Sequence, residues 1–332
     1  MASPQTASAD AGALAGEYAA LTGGCGVLDR SERGKLALTG PGAVEFLNGQ
    51  VTNELTTLGP GTGCYAAFLT HKGKMLGDLR ILAVGEGPAE APSALLLDTE
   101  RIALQGLFDM IRRFKVGYDV ELHKRTLERG LLSLIGPRAA SIAGAELLAD
   151  VEHAHAGVEI DGIAAVAMRT DLGIDLLYDA ADTGPLSATL RARGAVAVRE
   201  HVAECVRVEH GRPRYGIDLD DTVIPQEAGL NERAVSFTKG CYVGQETVAR
   251  LYYKGKPNRH LRGLRLSEPA TSGEQLLLGE RPVGSVGSAV VSPRLGPLAL
   301  ALVRREAEPG SGVSVGEHGA SAVVLELPFA AS

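Results

Sequence analysis

Apolar and polar positions fall into short blocks whose period changes repeatedly over the first two thirds of the chain. Residues 35–39 read as a strand, Gly40-Pro41-Gly42 turns the chain, and Val44 and Leu47 mark one face of a short helix over 43–47. Residues 64–69 read as a strand, His71-Lys72-Gly73-Lys74 as a tight connection, and 75–84 as a second strand. Alternation along that strand puts Leu76, Asp78 and Arg80 on one face and Met75, Gly77, Leu79 and Ile81 on the other. A strand over 93–97 precedes a helix that Asp98 or Thr99 can cap and that runs to Phe114, followed by a strand over 115–122. The strand-helix-strand order recurs: strand 131–135, helix 138–148, strands 163–168 and 174–178, helices 186–193 and 199–209. Short strands mixed with isolated helices predict an α+β region with antiparallel sheet.

Beyond Pro257 helical periodicity gives way to apolar runs at 261–266, 283–291, 298–303 and 322–327, punctuated by Gly279, Gly284, Gly287, Gly296, Gly310 and Gly312. This is the pattern of a small all-β barrel or sandwich. The expected organisation is a flexible tail with a short helix over 1–22, an α+β region over 23–256 and a β-barrel over 257–332.

Composition narrows the chemistry. With 332 residues, two or three domains are expected. The 4% aromatic content and the lack of Trp require a mostly aliphatic core. A net charge of -7 argues against a general nucleic-acid coat, so direct nucleic-acid binding is not expected and any anion site must be local. The chain lacks an apolar run long enough to span a bilayer, and no membrane association is expected. The Ala-rich start lacks the Lys or Arg of a secretory leader. Cys25, Cys64, Cys205 and Cys241 lie far apart, which excludes a self-contained zinc ribbon, a ferredoxin-type cluster or a disulfide framework. Reduced thiols in the cytoplasm and no resident metal follow. His153 and His155 read as residues of a surface strand. Gly59 to Gly63 resembles a phosphate loop but precedes a strand, not a helix, and so reads as a turn.

The densest chemistry lies in Lys239-Gly240-Cys241-Tyr242-Val243-Gly244-Gln245-Glu246. Two glycines free the backbone around Cys241, Lys239 supplies positive charge, and a helix starting near Gln245 would carry Val248, Leu251 and Tyr252 as its apolar stripe. Positive charge and a helix N-terminus both favour a thiolate, hence a reactive or redox-sensitive cysteine. The other three cysteines read as core. Gln245 as a cap and Glu246 as a partner of the helix dipole are the plainer alternatives. Arg250, Lys254, Lys256, Arg259, Arg262 and Arg265 then follow with no acid between Glu246 and Glu268. They form either a solvated face or a site for an anionic tail, a phosphate or RNA, with Tyr252 and Tyr253 able to stack. Asp78, in a mostly apolar strand, reads as an ion-pair partner of Arg80 or Lys74 or as part of a solvated face.

These residues carry a resemblance. The 239–246 stretch, Arg207-Val208-Glu209-His210-Gly211-Arg212-Pro213 followed by Ile224-Pro225-Gln226-Glu227, Gly26-Val27-Leu28-Asp29-Arg30-Ser31, and Val283-Gly284-Ser285-Val286-Gly287-Ser288 together resemble the YgfZ family of folate-binding proteins, in the superfamily of the glycine-cleavage T-protein, an aminomethyltransferase. The resemblance implies a three-part ring, with a ferredoxin-like part and a C-terminal barrel, around a channel for tetrahydrofolate, possibly a polyglutamylated form. It implies catalytic roles for Cys241 and Asp78, and folate contacts by Asp175, Lys239, Gln245, Glu246, Gln226 and Arg250. T-proteins carry two adjacent aspartates where this chain has Gly77-Asp78, so one carboxylate is missing. Asp175 sits where the superfamily has a pterin-binding Glu. The implied function is a folate-dependent accessory factor for iron–sulfur cluster assembly or repair, linked to tRNA modification through client enzymes and acting as a monomer. The alternatives are a one-carbon transferase, or a protein- or RNA-docking module with a vestigial pocket.

Overall fold

A computed structural model describes residues 4–85, 91–317 and 319–329, with side chains from residue 12 onward. Helix α1 (Pro4–Gly23) leads into β1 (Gly26–Asp29). The helix takes in most of the segment expected as a flexible tail, starting at Pro4, as the high helix propensity of its alanines favours.

A contiguous unit follows: β2 (Gly34–Thr39), α2 (Ala43–Asn48), β3 (Gly63–Leu69), β4 (Met75–Val84), β5 (Ala94–Thr99), α3 (Leu104–Phe114) and β6 (Glu121–Lys124). Its five strands pair antiparallel in the order β3-β4-β5-β2-β6. Leu107 and Ile111 of α3 pack with Phe46, Phe68, Leu79, Ile81 and Leu97 to form its core. The alternation read along β4 holds, with Arg80 partly open and its apolar neighbours Leu79 and Ile81 buried. Two local expectations fail. Asp98 and Thr99 do not cap α3; they complete β5, and α3 begins at Leu104 without a side-chain cap. Residues 115–120 are not a strand, because left-handed Gly117 (φ 92°) closes a turn there, and pairing resumes only at Glu121.

The second unit contains β7 (Arg129–Ile135), α4 (Ala139–Ala143), β8 (His155–Ile160), β9 (Ile163–Arg169), β10 (Gly173–Asp179), α5 (Thr183–Ala192), β11 (Val196–Ala197) and α6 (Glu200–Glu209). Its sheet, in the order β11-β1-β7-β10-β9-β8, takes β1 from the far side of the first unit. Helix α4 ends at Ala143, short of the expected 148, because Gly144 adopts φ 66° and terminates it. His153 and His155 are not on the surface: they are 4% and 6% exposed, and His155 Nε2 lies 3.0 Å from the Ala83 carbonyl of β4. They help to join the two sheets.

After α7 (Asn231–Ala234) and α8 (Gln245–Lys254), strands β12 (Arg259–Leu266), β13 (Gln275–Leu278), β14 (Arg281–Ser292), β15 (Gly296–Arg304), β16 (Gly312–Val315) and β17 (Ala320–Leu325) close a six-stranded barrel. Its interior is aliphatic, with Leu264, Leu276, Val303 and Val324 at its centre. Buried polar contacts dock the barrel. Glu209 of α6 accepts from Tyr18 of α1 at 2.9 Å and from Ser292 of β14, so three elements meet at one carboxylate.

Candidate functional site

A cavity of about 150 Å³ opens where the two sheets meet α6 and the segment that follows it. It is lined by Tyr65, Asp78, Arg80, Asp175, Tyr215 and Arg233 among others. This is smaller than the roughly 300–1,000 Å³ usual for ligand pockets, because arginine side chains fill much of the space.

Asp78 reaches the cavity from β4 and Asp175 from β10. Asp78 is 5% exposed. Tyr65, across the β3–β4 ladder, donates its hydroxyl to Asp78 Oδ2 at 2.6 Å. Asp78 pairs with neither Arg80 nor Lys74, contrary to the plain reading of the strand. Burial outweighs the Tyr65 hydrogen bond and pushes its carboxyl up to about 6. Burial beside that carboxylate also holds the Tyr65 phenol well above its ordinary range. Arg233, salt-bridged to Glu152, lies 4.7 Å from the centre of the Tyr65 ring.

Arg80 is occupied elsewhere. Its Nε donates to Asp98 Oδ2 at 2.6 Å and its Nη1 to Asp175 Oδ2 at 2.5 Å. Asp98 also receives Arg33 at 2.9 Å, and the two guanidiniums hold its carboxyl far below the usual range despite burial. The pairing continues from Arg33 to Glu100, to Arg214 at 3.2 Å, to Glu204 at 3.4 Å, to Arg207 at 2.6 Å and to Asp218 at 3.0 Å. Asp218 accepts the Ser288 amide of β14 at 2.7 Å. Alternating acids and arginines thus run from the second sheet, through the first sheet and α6, to the barrel.

Gly77 neighbours Asp78 in sequence. A Cβ there would lie 2.6 Å from the Phe68 ring and 2.7 Å from Ala103 Cβ. The position has no room for a second carboxylate.

The 239–246 stretch lies outside this cavity. Lys239 is buried, and its ammonium donates to the carbonyls of Asn48 (2.7 Å), Val51 (2.9 Å) and Asn53 (2.6 Å). Burial pushes it down to about 8. It ties the loop after α2 to the 239–246 stretch and does not line this cavity. Gly244, at φ 85°, meets the turn at Thr70–Gly73 so closely that a Cβ would stand 2.6 Å from the Thr70 carbonyl oxygen. Gln245 Nε2 donates back to the Gly240 carbonyl at 3.4 Å, and Glu246 and Arg250 are exposed on α8. Gln226 Oε1 is buried away from the cavity with no partner among the described residues. Cys241 is exposed, whereas Cys25 and Cys205 are buried and Cys64 is half-buried. Of the site residues expected from sequence, the cavity brings together Asp78 and Asp175 only. Sequence reasoning missed Tyr65, Arg33, Arg233 and the adjacent Arg214 and Tyr215, which come from four separate parts of the chain.

Among the described residues, no cluster of three or more His, Cys, Asp or Glu can hold a metal ion, and no helix is long and apolar enough to cross a membrane.

Residues 5–239 match the GCVT N-terminal domain, and residues 259–330 match the glycine cleavage T-protein C-terminal barrel domain. The chain belongs to the glycine cleavage T-protein family. An aminomethyltransferase of Streptomyces avermitilis is 30% identical over 336 residues, covering 94% of this chain and 88% of that protein. A chloroplastic Arabidopsis thaliana protein, whose name carries a provisional transferase assignment, is 28% identical over 323 residues, covering 94% and 73%. The crystal structure of the glycine cleavage system aminomethyltransferase T from Bartonella henselae matches with a TM-score of 0.83 at 24% identity, over 96% of this chain and 89% of its own, and so shares the fold. The superfamily and the α+β fold with a terminal barrel expected from sequence are those found.

Proposed function

We propose that this chain is a YgfZ-like member of the T-protein family. In this reading it binds tetrahydrofolate in the Asp78–Asp175 cavity and serves as an accessory factor for iron–sulfur cluster assembly or repair in client enzymes. The observation that carries the reading is the packing of Gly77. T-proteins are expected to carry paired carboxylates at this point of the strand, and here Phe68 and Ala103 occupy the space the second one needs. A folate site is retained without the full transfer arrangement.

The residues present suit such a ligand. Asp175 Oδ1 has no hydrogen-bond partner among the described residues, which leaves it free to accept N–H groups from an aminopyrimidinone edge. Tyr65 and Tyr215 supply aromatic surface. Tetrahydrofolate supplies, when bound, amine nitrogens that carry a one-carbon unit. Asp78, held at one oxygen by Tyr65, can take up or release a proton near neutral pH. That property favours the second reading, a folate-dependent one-carbon transferase, which the names of the relatives also favour. Cys241 stands outside the cavity and is exposed between buried Lys239 and Tyr242, as a thiol offered to a partner would be.

Asp175→Ala is expected to weaken tetrahydrofolate binding by about 10- to 100-fold in titration calorimetry, since a charge-assisted hydrogen bond contributes about 1.5–3 kcal/mol. If the wild-type chain gives no binding heat, the folate reading fails. Cys241→Ala is expected to leave folding and folate affinity unchanged while lowering the activity of a cluster-dependent enzyme in a deletion strain. Full complementation by that variant would refute the role given to the thiol. Turnover with a lipoyl carrier and tetrahydrofolate would establish the transferase reading instead.

A further inference from the structure

The carboxylate assigned to the pterin edge is already occupied on one side. Arg80 holds Asp175 Oδ2 at 2.5 Å, and this contact spans from β4 of the first sheet to β10 of the second. The side chains of the two residues are 13% and 7% exposed, so water screens the pair little. An incoming donor pair must therefore compete with a guanidinium for Asp175.

The chain of ion pairs makes this competition feasible. Arg80 Nε stays on Asp98 Oδ2 when Nη1 lets go, and Asp98 is held in place independently by Arg33. Releasing Asp175 therefore removes one pair without leaving Arg80 uncompensated in the interior, which would be far more costly. Arg80 has a fixed end on Asp98 and a free end on Asp175. Ser133, directly across the β7–β10 ladder from Asp175, carries a buried hydroxyl with no partner among the described residues.

We propose that Arg80 is a specificity-determining latch on Asp175. A ligand edge with the paired N–H donors of an amidine or aminopyrimidinone fills the open Oδ1 and takes the Oδ2 position that Arg80 Nη1 gives up. A 2-oxo edge turns a carbonyl towards the carboxylate where the amino group should be, and so cannot take both positions. This inference rests on the folate reading and names how that site selects its ligand.

The test is titration calorimetry on the full chain with tetrahydrofolate, 6-methyltetrahydropterin and p-aminobenzoylglutamate, using wild type, Arg80→Leu, Asp175→Ala and the double variant. Arg80→Leu is expected to bind both pterins about tenfold more tightly than wild type, since the competing charge-assisted bond is gone. Affinity for p-aminobenzoylglutamate is expected not to change, and in the Asp175→Ala background the Arg80→Leu gain is expected to vanish. Arg80→Gln, which keeps a donor towards Asp98, carries the same comparison if the Leu variant does not fold, with a smaller gain. Unchanged or weaker pterin binding by the folded variants, while wild type binds, overturns the latch and leaves the folate reading standing. A gain that persists without Asp175 also overturns it. No binding by any form removes the folate reading and the latch with it.

Discussion

Lys239→Met is expected to destabilise the protein by about 3–5 kcal/mol, because one buried and two partly buried carbonyl acceptors lose their shared donor and each orphaned group costs roughly 1–3 kcal/mol. Methionine fills similar volume, so the loss reports the hydrogen bonds and not a cavity. Urea unfolding measures it directly. The effect should not be additive with changes at Asn53, whose carbonyl is one of the three acceptors and whose side-chain amide donates to the Tyr65 carbonyl at 2.9 Å. A loss below about 1 kcal/mol would mean that water reaches those carbonyls readily.

The second large effect is a pair of opposed pH dependences. Asp78 titrates near 6 in the folded chain against an ordinary value of 3.8. Between those values the folded state binds more protons, so the contribution of Asp78 to stability falls as pH rises, by about 3 kcal/mol across the window. His153 is buried, and burial, helped by the charges of Arg80 and Arg233 and opposed by Glu152 at 3.7 Å, lowers it to about 4 from 6.5. Between those values the unfolded state binds more protons, so its contribution is lost as pH falls, by about the same amount. In the wild-type chain the two largely cancel between pH 4 and 6. Asp78→Asn should stabilise the protein by about 2–3 kcal/mol at pH 7, lose that advantage below pH 4, and unmask a stability that climbs with pH. His153→Asn suits the positive φ of 68° at that position and should unmask the reverse slope. Thermal melts from pH 4 to 7 separate the two, and parallel profiles for both variants would sink the assignment. A gain in stability on removing Asp78 would mark it as a residue retained for function at the expense of the fold.

The sheets and the barrel were legible because each rests on local information. Period-two runs such as 75–84 and the glycine-punctuated pattern after Pro257 are consequences of strand geometry. Element bounds were less legible where one left-handed glycine decided them, as at the turn of Gly117 before β6 and at the end of α4 at Gly144. The site was legible only in part. Asp78 announces itself as a carboxylate in an apolar strand, and Asp175 through the family resemblance. The arginines that fill the cavity come from the loop before β2, from β4, from α6 and the segment after it, and from α7, and nothing in their spacing predicts that they meet. The 239–246 stretch shows the opposite error. Its density of chemical groups invited a ligand-facing role, yet Lys239, Gln245 and Gly244 are spent on tying backbone to backbone. A cation among glycines carries the same letters whether it faces a ligand or a row of carbonyls.

Strand β1 pairs with β7, joining Gly26 to Ile135, with the whole five-stranded unit inserted between them. That unit is continuous in sequence and can form from near neighbours, whereas the six-stranded sheet must wait for a long loop to close around it. As the chain leaves the ribosome, the wall bearing Asp78 is therefore complete before the wall bearing Asp175 can exist, and α1 has to wait for residue 209 before Tyr18 finds its carboxylate. Arg80 thus spends the early part of folding with Asp98 alone. Its bond to Asp175 forms only once the second sheet has closed, a mark that the two sheets have come together.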